Sequence, residues 1–179
     1  MKSKKWLLLF LVFLSSCQST SFYPEEDKIP LQKNENYQKP QDVPYEKLGY
    51  ENYSEVCTVN SILEKIEKKE SFAMYLYTKT CGSCLRIKPL FMKYIIETKY
   101  VFSTVELNAS GNSLEEIENG LGTLYPSYFG KNEYGWYPFS TPHFYFFLNG
   151  EMKNDAGKPE KDNNYSYFVS FMNRYVKEA

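Results

Sequence analysis

Cys81 and Cys84 stand in the run Thr80-Cys81-Gly82-Ser83-Cys84. A C-x-x-C spacing has two chemical uses, as a pair of metal ligands or as a reversible disulfide. The flanking residues favour the second. Before the motif, Phe72 to Tyr77 is nearly continuous in apolar and aromatic residues, the composition of a strand covered on both faces. After it, Ile87, Leu90, Phe91, Tyr94 and Ile95 share one face of a helix. Cys81 is thus placed at a helix start, where unpaired backbone N–H groups and the helix dipole favour an anion. Its thiol should ionise below the roughly 8.5 of free cysteine. With only two residues between them, one of them Gly82, Cys84 can reach back and resolve a mixed disulfide formed at Cys81. That is a site for two-electron thiol exchange, with a Cys81–Cys84 disulfide as its oxidised form. A four-ligand zinc site is poorly supplied by 4 cysteines and 1 histidine, His143, so no metal and no cofactor is expected.

The other two cysteines have different surroundings. Lys2, Lys4 and Lys5 precede an unbroken apolar run from Trp6 to Leu14 that is too short to span a bilayer as a stable helix, the anatomy of a signal peptide. The run ends in Leu14-Ser15-Ser16-Cys17, which resembles the bacterial lipobox, and that resemblance implies lipidation of Cys17 and removal of residues 1–16. The expected location is the extracytoplasmic face of the cell membrane, held by a lipid anchor. Residues 17–53 are polar, with Pro24, Pro30, Pro40 and Pro44 among Asn, Gln, Lys and Glu and no sustained apolar period, so they are predicted to be a lipidated, flexible tether. The tyrosines of Tyr45 to Tyr53 are candidates for packing on the domain. Cys57 reads as a small buried residue near the first helix, with a third redox thiol as the alternative.

Stepping outward, the elements that position the motif fill residues 54–179. Asn60 to Lys69 is patterned as a short amphipathic helix, Ser71 to Thr78 as a central strand, and the helix after the motif carries Pro89, expected to kink it. Tyr100 to Leu107 reads as a strand, and Ser113-Leu114-Glu115-Glu116 as a capping box opening a short helix. Thr141 to Leu148 is a third strand, followed by an Asn149-Gly150 turn into a partner strand from Glu151. A last helix covers roughly Tyr165 to Lys177. Lysine plus arginine (21) nearly balance aspartate plus glutamate (22), which removes the basic face that nucleic acid requires.

From about Asn60 onward the sequence resembles the thioredoxin family. The likeness rests on spacing: the C-x-x-C between strand and helix, Pro89, the strand end Val105-Glu106-Leu107-Asn108, and Thr141-Pro142 leading into the hairpin. It implies an α/β fold, a thioredoxin-like three-layer α/β/α sandwich with a central mixed sheet, carrying an insertion at about 110–140. It also implies a cis Thr141-Pro142 bond beside the cysteines, with Cys81 as nucleophile and Cys84 as resolver. Thr80, Gly82, Ser83, Thr141 and Pro142 would then meet the substrate. The implied activity is an extracytoplasmic thiol–disulfide oxidoreductase acting on exported thiol or disulfide proteins or on a transmembrane electron-transfer partner. A non-catalytic accessory lipoprotein of the same fold, for example in peptide export, is the alternative.

The chain also departs from the family. Thr80 replaces the usual tryptophan, the dipeptide is Gly-Ser rather than Gly-Pro, and Tyr75 stands where the family has a buried aspartate. Glu106 stands where a lysine is usual, and two readings are open: it exchanges a proton with Cys84, as a carboxylate with a raised pKa could, or it ends its strand in water. Tyr125, Tyr128, Phe129, Tyr134, Trp136, Tyr137 and Phe139 enrich the insertion; they either line a substrate groove or pack the insertion down. His143 either tunes the sulfurs or packs in its strand.

Overall fold

The computed structural model describes residues 23–161 and 163–177. The expected signal peptide and Cys17 lie outside the described residues. Among the described residues, no helix is long and apolar enough to cross a membrane.

Five strands form one mixed sheet: β1 (Glu55–Val56), β2 (Phe72–Tyr77), β3 (Ser103–Glu106), β4 (His143–Leu148) and β5 (Glu151–Gly157), in the order β1-β3-β2-β4-β5. β1 and β2 run parallel to β3, while β4 runs antiparallel to both β2 and β5. The central strand β2 is buried along its whole length, as its apolar run predicts. Its residues alternate between two cores. Ala73, Tyr75 and Tyr77 face one side with Phe144 and Phe146; Phe72, Met74 and Leu76 face the other with Tyr145 and Phe147.

The first face is covered by α2 (Gly82–Thr98) and α6 (Tyr165–Met172), the second by α1 (Val59–Glu67), α3 (Leu114–Asn119), α4 (Leu121–Leu124) and α5 (Pro126–Phe129). α2 runs through Pro89 as one 17-residue helix. Thr58 caps α1 by accepting from the Ser61 N–H, and both hydrogen bonds of the expected capping box join Ser113 and Glu116. The hairpin turn needs two successive positive φ values, which Asn149 (52°) and Gly150 (79°) supply. A Cβ at Gly150 would lie 2.4 Å from the Ile66 carbonyl oxygen, so glycine is required there on both counts.

One expectation is corrected. From Tyr23 onward, the segment predicted to be a tether is packed on the domain. It contains three single-turn 3-10 helices and two isolated bridges, Ile29 with Val176 and Lys33 with Tyr100. The Ile29 N–H donates to Tyr175 (2.7 Å) and the Lys177 N–H to Ile29 (3.0 Å). Ile29, Leu31, Tyr37, Leu48, Tyr50 and Tyr53 are buried in the core on the α2 side. The pattern was invisible because these anchors are single residues at irregular intervals; a chain held by scattered side chains has no hydrophobic period.

Candidate active site

Cys81 is the N-cap of α2, and the backbone N–H of Cys84 donates to its sulfur at 3.2 Å. The Cys81 thiol in turn donates to the carbonyl oxygen of Thr141, also at 3.2 Å, and the Thr141-Pro142 bond is cis. Residues 60 positions apart are brought together because β4 lies beside β2, whose end launches α2.

The two sulfurs differ in environment. Cys81 is partly exposed and Cys84 is buried; both are free thiols. Burial by itself pushes the Cys81 thiol up, but hydrogen bonds from the Cys84 thiol and from the Cys84 and Ser83 amides outweigh it, so Cys81 ionises below its ordinary value. Burial, and then the hydrogen bond to Cys81, push the Cys84 thiol up to about 11. The first deprotonation therefore belongs to Cys81. Thr80 and Gly82 are exposed beside it, and Pro142 is buried below. The Ser83 hydroxyl accepts from the Arg86 guanidinium at 2.9 Å.

A cleft of about 350 Å³ opens on the Cys84 side of α2. Cys84, Tyr50, Tyr77, Leu85 and Glu106 contribute to its wall, with Lys79 and Lys88 at its charged positions. Glu106 is neither dry nor freely hydrated: its side chain is 20% exposed, pairs with Lys79 at 2.8 Å and accepts from the Tyr77 hydroxyl at 3.4 Å. Glu106 and Cys84 thus line the same cleft. Among the wall residues that the sequence does not place at the site is Tyr50. It comes from the segment read as a tether, and its ring lies 4.6 Å from that of Tyr77 and 5.9 Å from that of Tyr75.

The remaining candidates fall elsewhere. The His143 ring stacks on Tyr145 at 4.3 Å and hydrogen-bonds Asp155, across the β4–β5 hairpin. Cys57 is buried at the end of β1, and burial followed by the charge of Glu55 raises its thiol to about 11, an inert setting. In the insertion, Phe129 is buried, Tyr125 donates to the Gly150 carbonyl (3.2 Å) and Tyr137 to Glu118 (2.9 Å). Tyr134 and Trp136 remain 76% and 72% exposed. The cleft beside Cys84 contains none of the insertion's aromatics.

The sheet order, helices on both faces and a C-x-x-C at a helix N-terminus facing a cis-proline define a thioredoxin-like α/β fold. No family model matches the sequence, and no curated protein matches it. Among solved structures the chain is similar to oxidised thioredoxin O2 of Arabidopsis thaliana, with 18% identity over 70% of this chain and 96% of that one, and a TM-score of 0.46. It is similar also to oxidised thioredoxin of Plasmodium falciparum, with 17% identity over 69% and 99% of the two chains and a TM-score of 0.45. Malassezia sympodialis thioredoxin gives 15% identity over 77% and 98%, again with a TM-score of 0.45.

Proposed function

We propose that this chain is a lipid-anchored, extracytoplasmic thiol–disulfide oxidoreductase that acts on exported proteins or a membrane redox partner. The observation that carries the chemistry is the asymmetry of the two sulfurs: Cys81 is accessible and anion-stabilised, Cys84 buried and protonated. The anchor rests on the basic start at Lys2, Lys4 and Lys5, the short apolar run from Trp6 to Leu14 and the tetrapeptide Leu14-Ser15-Ser16-Cys17.

In the reducing direction, the Cys81 thiolate attacks one sulfur of a client disulfide. A Cys81–client disulfide forms and the client's other sulfur leaves as thiolate. Cys84 then loses its proton, for which Glu106 across the shared cleft is the acceptor, and attacks the Cys81 sulfur. The Cys81–Cys84 disulfide closes and the client's second thiolate departs. The client has gained two electrons and the protein has lost two. The same steps in reverse oxidise a client dithiol. Thr141 and Pro142, set against Cys81, are the backbone on which a client strand would lie, with Thr80, Gly82 and Ser83 on the opposite rim.

Covalent trapping tests this reading. Cys84→Ser should accumulate mixed disulfides between Cys81 and clients that dissolve on adding a dithiol reductant, whereas Cys81→Ser should trap few or none. Equal trapping by both variants, or none by either under conditions that trap a known oxidoreductase, would transfer support to the non-catalytic accessory lipoprotein.

A further inference from the structure

In the sheet, β1 and β3 lie on one side of β2, and β4 lies on the other. Val56 ends β1, Glu106 ends β3 and Tyr77 ends β2, and all three line the cleft beside Cys84, so the cleft opens on the β1–β3 side. Thr141 and Pro142 immediately precede β4 and lie across β2 from it. Two surfaces therefore flank the start of α2, one at the cis-proline and one at the cleft. Cys81 joins them. Its sulfur meets the Thr141 carbonyl oxygen, while its own carbonyl accepts from the N–H of Leu85, a residue of the cleft wall, at 3.0 Å.

Val56 and Leu85 line the cleft yet are each 56% exposed, so they form its outer part. Tyr50 and Tyr77 are buried and form its floor, with ring centres 4.6 Å apart. Its volume of about 350 Å³ suits one large side chain, at the small end of ligand pockets. The charges around it cancel. Lys79 pairs with Glu106 at 2.8 Å, Lys88 lies 5.4 Å from the Tyr50 ring centre, and Glu51 supplies a second carboxylate. The Tyr50 wall is also fixed in advance: the N–H and the hydroxyl of Ser54 both donate to the Tyr50 carbonyl at 2.8 Å, and that hydroxyl lies 3.0 Å from the Thr104 hydroxyl of β3. A preformed wall spares a ligand the cost of ordering it.

We propose that this cleft is a specificity pocket that takes a large aliphatic or aromatic side chain of the client, from a residue beside the client's reacting cysteine. The inference rests on the oxidoreductase reading and names its substrate class. A client strand laid on Thr141 brings its cysteine to Cys81, and the chain beyond that cysteine passes over Leu85 to the cleft. One flank of the client thus lies at the cis-proline and the other at the cleft, so the preference belongs to one flank only. A charged side chain of either sign would lose water there without gaining a net counter-charge. A small polar one would leave Val56 and Leu85 in water, where burying their apolar surface is favourable.

The test uses the reduced full chain and short cysteine peptides, each joined through its thiol in a mixed disulfide to a coloured aromatic thiol. The Cys81 thiolate attacks the peptide sulfur and the coloured thiolate leaves, which absorbance reads; Cys84, losing its proton toward Glu106, then displaces the peptide thiolate. The peptides carry phenylalanine, leucine, serine, aspartate or lysine, placed before or after the cysteine. On one flank, phenylalanine and leucine should raise the second-order rate of release over serine by on the order of tenfold, the discrimination of a small apolar pocket. Aspartate and lysine should do no better than serine there, and on the other flank all should react alike. In Leu85→Asp and in Val56→Asp, each referred to its own serine peptide, the phenylalanine preference should collapse, while Leu85→Met should keep it. Rates that ignore both flanks, or a preference untouched by both aspartate variants, overturn the pocket and leave the oxidoreductase reading standing. A preference for aspartate or lysine overturns it too, by showing a charged occupant, as does one that changes with protein concentration, by showing a second copy in the cleft. Release of no coloured thiolate from any peptide overturns both readings.

Discussion

The backbone N–H of Cys84 lies 3.2 Å from the sulfur of Cys81, so the residue that completes the reaction also stabilises the charge that begins it. This contact orders the two ionisations, because it favours the anion on Cys81 while Cys84 stays buried.

That order fixes a pH dependence. The thiolate is the reactive form, so alkylation of Cys81 should rise as pH climbs through a midpoint below that of free cysteine, then level off. Cys84 should stay protonated and unreactive until the pH approaches about 11. Alkylation by a small haloacetamide, followed peptide by peptide by mass spectrometry, measures both; coincident midpoints would refute the asymmetry.

Glu106→Gln keeps the shape of the cleft and removes the proton acceptor. Resolution should slow by on the order of a hundredfold, the low end for a positioned general base, while Cys81 remains the trapping site. Because Glu106 pairs with an exposed Lys79, thermal stability should change little. An unaltered resolution rate would assign Glu106 to a surface ion pair and nothing more.

Deleting residues 1–53 separates a tether from a structural segment. A tether could be removed without consequence, whereas this segment buries Ile29, Leu31, Tyr50 and Tyr53 against the domain. Truncation should lower stability by at least ~3 kcal/mol, the scale of emptying one large core site, and widen the cleft beside Cys84. Denaturant midpoints of the two chains give the answer.

Asn112 is buried where the insertion meets α1: its side-chain oxygen accepts from the Val59 N–H (2.8 Å) and its amide donates to the Cys57 carbonyl (3.1 Å). Asn112→Ala takes the side-chain donor from the Cys57 carbonyl, while the Val59 N–H keeps its bond to the Gly111 carbonyl (3.2 Å), and should cost about 1–3 kcal/mol. A loss below ~1 kcal/mol in a denaturant titration would mean that water replaces the side chain.

The anchor has its own test. Cys17→Ser should release the chain from the membrane fraction or leave an unprocessed precursor, seen by fractionation and by intact mass. A variant that stays lipidated and membrane-bound like the parent would show that Cys17 is not the acceptor.

What the amino-acid sequence determines by itself is everything encoded within one short stretch of chain. The apolar β2 run, the helix that begins at Cys81, the Ser113–Glu116 capping box and the Asn149-Gly150 turn all depend on contacts between near neighbours, so residue type and spacing suffice. The stabilised anion at Cys81 belongs here too, since a helix N-terminus supplies donors, whereas the raised value of Cys84 comes first from burial. The tertiary structure alone decides what surrounds the resolving sulfur. β1 is only two residues long and exists because β3 offers it an edge. Tyr50 reaches the Cys84 cleft because scattered anchors such as Ile29 and Tyr53 hold an aperiodic segment to the core. Whether Glu106 meets water, Lys79 or Cys84 depends on residues tens of positions away in the chain. Local patterns cannot encode such meetings, because burial of a polar group is a property of the packed neighbourhood and not of the residue.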